Sequence, residues 1–309
     1  MANIADDITE LVGNTPLLRL HKFEKEAGFE GKILAKLEVF NPTGSVKDRI
    51  AKNMIEQAER DRRLKPGGTI IEATSGNTGI GLAAIAAAKG YQAVIVMPDS
   101  MSKERIRILE AYGAKVVLTP GEKNMGGANE KAAEILEQTE NAIITGQGGN
   151  PSNPEAHYQT TGPEIWKDTG ENVDIFVATV GTGGTISGTG KFLKEKNPDI
   201  QIIGVEPAGC PVLSGGEAGP HKIQGIGGGA IAPVTDVDLL DEVITVTDDE
   251  AYETVRKAAK KEGSFIGISA GAALFAAEKV AKRPENQGKT IVTIFPDSAD
   301  RYLSTDLFE

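Results

Sequence analysis

Ile175-Phe176-Val177-Ala178-Thr179-Val180-Gly181-Thr182-Gly183-Gly184-Thr185 is an apolar, β-rich run that breaks into a loop of glycine and threonine and then into a helical pattern. A short apolar run bounded by turn residues reads as a buried strand. The same device stands earlier in the chain, where Ile70-Ile71-Glu72-Ala73 runs into Thr74-Ser75-Gly76-Asn77-Thr78-Gly79 and a second helix. Strand, polar glycine loop, helix is the repeating unit of open parallel sheets, and ligands bind such sheets at the carboxyl ends of their strands.

Outward from these two units, strand-like runs fall at 33–37, 94–97, 116–118, 143–145, 202–205, 243–246 and 291–295. Helical patterns fall between them, at 48–63, 79–89, 102–112, 129–138, 187–196, 248–262 and 270–281. Nearly continuous apolar strands alternating with helices predict parallel sheets covered on both faces. The fold expected is α/β, with two open, twisted, mostly parallel sheets flanked by helices. An eight-fold βα barrel is the alternative, and the two unequal glycine-loop units fit open sheets better. A boundary is expected near 146–154, a stretch rich in Gly, Pro, Asn and Ser.

Composition narrows the function. The 309 residues are 39% hydrophobic, enough for a large core or two smaller ones. A net charge of −11 disfavours nucleic acid and anionic membrane surfaces as partners. No apolar run reaches the roughly 18 residues of a membrane span, and the acidic start Met-Ala-Asn-Ile-Ala-Asp-Asp lacks the basic and apolar regions of a signal peptide. A cytoplasmic protein is therefore expected. The single cysteine, Cys210, has no evident basic partner and reads as a structural thiol, and three histidines with one cysteine show no zinc-ligand spacing. The 37 glycines cluster between apolar runs, as they do where backbone approaches a ligand.

Chemistry enters with Asn41-Pro42-Thr43-Gly44-Ser45-Val46-Lys47-Asp48-Arg49. Ser45 and Asp48 carry the spacing of a capping box, which places Lys47 at the positive end of a helix beside Arg49. Both neighbours disfavour the ammonium form, as suits an amine that attacks a carbonyl. An exposed surface lysine is the plain alternative on spacing alone. Gly181, Thr182, Gly183, Gly184 and Thr185 present successive N–H groups and two hydroxyls at a helix start, an anion cradle suited to phosphate. Neither a P-loop nor a dinucleotide fingerprint is present, and the relaxed match at Gly225-Ile226-Gly227 is followed by Ala232-Pro233 with no helix. Thr74, Ser75, Gly76, Asn77 and Thr78 suit a carboxylate or a polar ring substituent, with simple helix capping as the bland reading; Ser269 likewise reads as a cap. A tuned lysine, a phosphate cradle and a second polar loop together fit a phosphorylated carbonyl cofactor held through an imine, for which pyridoxal 5′-phosphate is the natural candidate.

These motifs, with Gly267-Ile268-Ser269, Leu11–Leu17 and the stretch from Pro220 to Gly227, resemble the cysteine synthases (O-acetylserine sulfhydrylases) over essentially the whole chain. That family belongs to the β-family, or fold type II, of pyridoxal-phosphate enzymes. The resemblance implies a smaller mobile domain from residues 1–12 and 40–150 and a larger cofactor-binding domain from 13–39 and 151–309. It implies that Lys47 carries the internal aldimine and removes the substrate Cα proton, that Asn77 bonds the cofactor 3′ oxygen, that residues 181–185 hold the phosphate and that Ser269 faces the pyridine nitrogen. Thr74, Ser75, Gly76 and Thr78, with Gln147, would grip the substrate carboxylate, and Gly225 and Gly227 would line the substrate mouth. The reaction implied is β-replacement, with O-acetyl-L-serine and sulfide giving L-cysteine and acetate through α-aminoacrylate. Domain closure on the substrate would exclude water from that intermediate.

One departure stands out. The family's usual aromatic residue after Gln147 is Gly148 here. A softened wall leaves a larger acceptor open, as in a cystathionine β-synthase-like condensation of serine or activated serine with homocysteine, or O-phosphoserine as donor. A chain ending at Glu309 favours the first reading over enzymes with an appended regulatory domain, and threonine dehydratase fits less well. The resemblance also implies a homodimer and docking of a serine acetyltransferase C-terminal tail.

Overall fold

A computed structural model describes residues 4–100 and 103–309. The first three residues and Ser102, where a helix was expected to open, lie outside the described residues. The chain divides into two compact units, Met1–Val12 with Asn41–Ser152, and Gly13–Phe40 with Asn153–Glu309.

The first unit is built on a four-stranded, all-parallel sheet. In chain order its strands are β3 (Thr69–Ala73), β4 (Gln92–Pro98), β5 (Lys115–Thr119) and β6 (Ala142–Ile144), and in space they run β5-β4-β3-β6. The helices are α2 (Lys47–Arg60), α3 (Asn77–Lys89), α4 (Lys103–Ala111) and α5 (Asn124–Glu137). β4 is buried from Ala93 to Pro98, as a parallel strand covered on both faces must be. Ile71, Val94 and Val96 pack with Ala128 and Ala132 of α5, where alanine lets the helix approach closely. Helix α3 is buried along most of its length and packs on α2. The contact is possible because Gly81 lacks a Cβ, which would lie 3.2 Å from Ala51 Cβ and 3.3 Å from the carbonyl oxygen of Lys47.

The second unit carries six strands: β1 (Leu17–Arg19), β2 (Lys32–Leu37), β7 (Ile175–Thr179), β8 (Gln201–Pro207), β9 (Glu242–Val246) and β10 (Thr290–Phe295). Their spatial order is β1-β2-β10-β7-β8-β9, with only the β1–β2 pair antiparallel. The helices are α1 (His21–Ala27), α6 (Ser152–Ala156), α7 (Gly162–Asp168), α8 (Gly184–Lys196), α9 (Asp248–Glu262) and α10 (Ile268–Ala281). The strand β10 is fully buried, and α10 is apolar nearly all round and buried among sheet and helices, as a central helix must be. Thr247 and Glu250 close a capping box at the start of α9.

The architecture is two open α/β sheets, and the barrel alternative falls. Three features escaped the sequence reading: the short antiparallel strand β1, the helix α1, and the run from Ser152 to Asp168, in which α6 passes through a π-turn at His157–Thr161 into α7.

Candidate active site

In the first unit, Lys47 is the opening residue of α2, half-buried. The expected capping box does not form. The residue before the helix, Val46, is itself α-helical and no side chain caps the end. Ser45 Oγ instead accepts from the Lys47 N–H at 3.3 Å, and Asp48 Oδ2 accepts from the Thr43 N–H at 2.6 Å, with a second bond from the Thr43 hydroxyl. The tight 41–44 turn places Thr43 within reach of Asp48, and this competes successfully with the box.

At the carboxyl end of β3 the chain passes through Thr74, Ser75 and Gly76 into α3, which Asn77 and Thr78 open. The bland capping reading of this loop fails: the cap position is Gly76, with no side-chain hydrogen bond at the helix end. Thr74 Oγ1 accepts weakly from Gly76 N at 3.4 Å, and Arg105 Nη1 donates to the Ser75 carbonyl at 2.7 Å. Thr78 Oγ1 donates to Gln147 Oε1 at 2.8 Å, which joins two of the expected substrate residues across 69 positions of sequence. Gln147 sits in a turn that a buried carboxylate holds. Glu72, 3% exposed, accepts from Thr145 Oγ1 at 2.6 Å, Gly146 N at 2.7 Å and Gln147 N at 3.2 Å. Burial pushes the Glu72 carboxyl above its ordinary value, and these hydrogen bonds offset only part of the shift.

In the second unit, β7 runs through Val180, Gly181, Thr182 and Gly183 into α8. Gly183 is the helix cap at φ +79°, a left-handed conformation that favours glycine, and a Cβ there would lie 2.2 Å from Thr235 Oγ1. A Cβ on Gly181 would lie 2.6 Å from the Gly225 carbonyl oxygen, so the 225–227 loop approaches this turn through bare backbone. Gly227 N donates to the Val180 carbonyl at 3.3 Å, and no helix follows that loop. Ser269, 4% exposed, lies in the first turn of α10, whose cap is Gly267 without a side-chain bond. It is therefore not the helix cap. The α10 helix packs on β7, the strand that delivers the 181–185 loop.

The sequence pattern that defines pyridoxal-phosphate-dependent enzymes matches residues 8–297. The chain belongs to this family. A probable cysteine synthase of Bacillus subtilis (strain 168) is 52% identical over 311 residues, spanning 100% of this chain and 99% of its own. A solved cysteine synthase from Entamoeba histolytica is 46% identical with a TM-score of 0.96, covering 99% of this chain and 91% of its own. A solved O-acetylserine-dependent cystathionine β-synthase from Helicobacter pylori is 40% identical with a TM-score of 0.92, with 100% of both chains covered.

The residues present fit the cofactor that gives pyridoxal-phosphate-dependent enzymes their name. The 181–185 turn combines main-chain N–H groups at the start of a 13-residue helix with two hydroxyls, and the space a Cβ would fill at its glycines is taken by backbone at Gly181, by Thr235 at Gly183 and by Asn153 at Gly184. Among the described residues, no group of His, Cys, Asp and Glu could hold a metal ion. Several contributors were missed in the sequence. Glu72 was signalled by a charge inside an apolar strand. Asn153 and His157, behind the phosphate-type loop, fall in the unread helical stretch, and Thr235 and Arg105 left no signal.

Proposed function

We propose that this chain is an O-acetylserine sulfhydrylase, converting O-acetyl-L-serine and sulfide to L-cysteine and acetate. The single observation that carries the reading is full-length identity of 52% to a probable cysteine synthase, in a chain whose glycine loops both sit at strand ends. Pyridoxal phosphate, when bound, supplies the electron sink that makes the substrate Cα proton removable and lets the β-acetoxy group depart. Lys47 would be the amine that holds the cofactor through its carbonyl, and its Nζ would serve as the base at the substrate Cα. Asn77 would bond the cofactor 3′ oxygen, and Gly181 to Thr185 would hold the phosphate. Ser269 would face the pyridine nitrogen, where a hydroxyl cannot hold a proton as a carboxylate would, which would favour β-elimination. Thr74, Ser75, Gly76, Thr78 and Gln147 orient the substrate carboxylate, with Glu72 fixing the turn that carries Gln147, and Gly225 and Gly227 line the substrate path. The unit built from residues 1–12 and 41–152 is taken as the smaller mobile domain, and the remainder as the cofactor-binding one.

A second reading is a condensation with homocysteine. It is favoured by Gly148, which is half-buried and stands after Gln147 where the family usually carries an aromatic residue, and by the likeness to the Helicobacter pylori enzyme. Visible spectra separate the two. O-acetylserine should shift the cofactor band and sulfide should restore it; recovery with homocysteine alone would move the assignment to the second reading.

No helix among the described residues is long and apolar enough to cross a membrane. A cytoplasmic homodimer that also accepts the C-terminal tail of a serine acetyltransferase completes the proposal. A tail carboxylate would use the 74–78 loop as substrate does. Capture of a peptide ending in isoleucine, released by O-acetylserine, tests that part; capture indifferent to O-acetylserine counts against it.

A further inference from the structure

Behind the 181–185 loop stand two buried polar side chains one helical turn apart. Asn153 and His157, each 1% exposed, are four residues apart and share a face. Asn153 Nδ2 donates to Thr182 Oγ1 at 3.0 Å, and His157 Nε2 meets Thr185 Oγ1 at 3.2 Å. On the far side of the ring, His157 Nδ1 lies 2.8 Å from Thr161 Oγ1, fully buried. The approach is tight. A Cβ on Gly184 would lie 1.8 Å from Asn153 Oδ1, and one on Gly188 would lie 2.9 Å from His157 Cβ. The π-turn at His157–Thr161 sets the ring between its two threonines, as π-turns often do at functional sites.

A hydroxyl has one proton and can donate it only once. If Thr185 gives its proton to His157 Nε2, it turns lone pairs toward the cradle and repels an anion. If Nε2 carries the proton and donates, the Thr185 hydroxyl is released to donate forward. Thr182 is already in that state, because the Asn153 amide donates to it.

We propose that His157 is a positioning residue with its proton on Nε2, forming with Asn153 a donor layer that directs both threonine hydroxyls at a bound phosphate. Thr161 then donates to Nδ1, and the chain runs Thr161, His157, Thr185, phosphate, with Thr185 accepting from His157 and donating ahead. The proposal rests on the reading of 181–185 as the cofactor-phosphate loop.

The test uses the full-length holoenzyme with ¹⁵N-labelled histidine, the signals of His157 being those lost in His157→Phe or His157→Gln. A protonated Nε2 is expected; a bare Nε2 overturns the proposal, and this readout requires no variant to be active. Titration with pyridoxal phosphate supplies the second arm. His157→Phe and Thr185→Val should each weaken binding about tenfold, and the double variant also only about tenfold, because both remove one chain. His157→Gln, which keeps a donor, should recover most of the loss. Additive losses near a hundredfold, or full affinity in His157→Phe, overturn the relay while leaving the cofactor reading standing. A wild-type protein that takes up no pyridoxal phosphate overturns the cofactor reading and the relay with it.

Discussion

Glu72 Oε2 accepts the main-chain N–H of Gly146 at 2.7 Å, so a buried carboxylate inside β3 organises a turn 74 residues away. The same carboxylate takes the Thr145 hydroxyl and the Gln147 N–H. Glu72→Gln turns an amide NH₂ toward one of these donors and leaves it unsatisfied, at a cost of about 1–3 kcal/mol. Urea unfolding should register that loss. The KM for O-acetylserine should rise while pyridoxal-phosphate affinity stays close to wild type; an unchanged KM would remove Glu72 from any role in placing Gln147.

The same group gives a pH dependence. Burial raises its folded-state pKa above the ordinary 4.5, so the folded protein holds this proton more tightly than the unfolded chain. Its contribution to stability is fully present below 4.5 and is lost as pH rises through the folded value. Relative to Glu72→Gln, wild type should therefore lose stability on going from about pH 4.5 toward neutrality, read as the difference in urea midpoints. A difference that is flat or opposite in sign contradicts the assignment.

Lys47→Ala should abolish the Schiff-base absorption and lower turnover by at least about a thousandfold, since amine and base are lost together. Borohydride treatment of wild type, followed by digestion and mass spectrometry, should place the cofactor adduct on the Lys47 peptide. An adduct on another lysine would refute the role.

Gly183→Ala meets two penalties. The left-handed backbone costs about 1–2 kcal/mol with a Cβ, and that Cβ would lie 2.2 Å from Thr235 Oγ1. The loop must shift, and cofactor affinity should fall tenfold or more by fluorescence titration. Retained affinity would mean the loop does not hold the phosphate.

Thr247→Ala is the distant counterpart. It removes the capping box of α9 and should cost about 1 kcal/mol, a fall in Tm of roughly 2–4 °C, with turnover unchanged. A drop in turnover would show coupling between this cap and the site.

Much of the fold was legible because apolar strands between turn residues announce themselves locally, and runs such as 70–73 and 291–295 became β3 and β10. Helix starts were read late. The α3 helix opens at Asn77 rather than 79, α8 at Gly184 rather than 187, and α10 at Ile268 rather than 270. Glycine, asparagine and serine have poor helix propensity, and tertiary packing overrides it there. The stretch 152–168 was missed because Pro154, Gly162 and Pro163 interrupt the 3.6-residue period and the π-turn shifts it.

Side-chain type and spacing alone set the chemical inventory: an amine beside a helix start, two polar glycine loops at strand ends, and apolar runs that call for covered parallel strands. These are local properties. Only the tertiary structure decided that Asp48 turns back to Thr43 rather than closing a box with Ser45, that Glu72 holds the Gln147 turn, and that Asn153 and His157 stand behind Thr182 and Thr185. A carboxylate, amide or hydroxyl can bond any partner of suitable polarity, so its choice follows from which distant segments the sheets bring within about 3 Å.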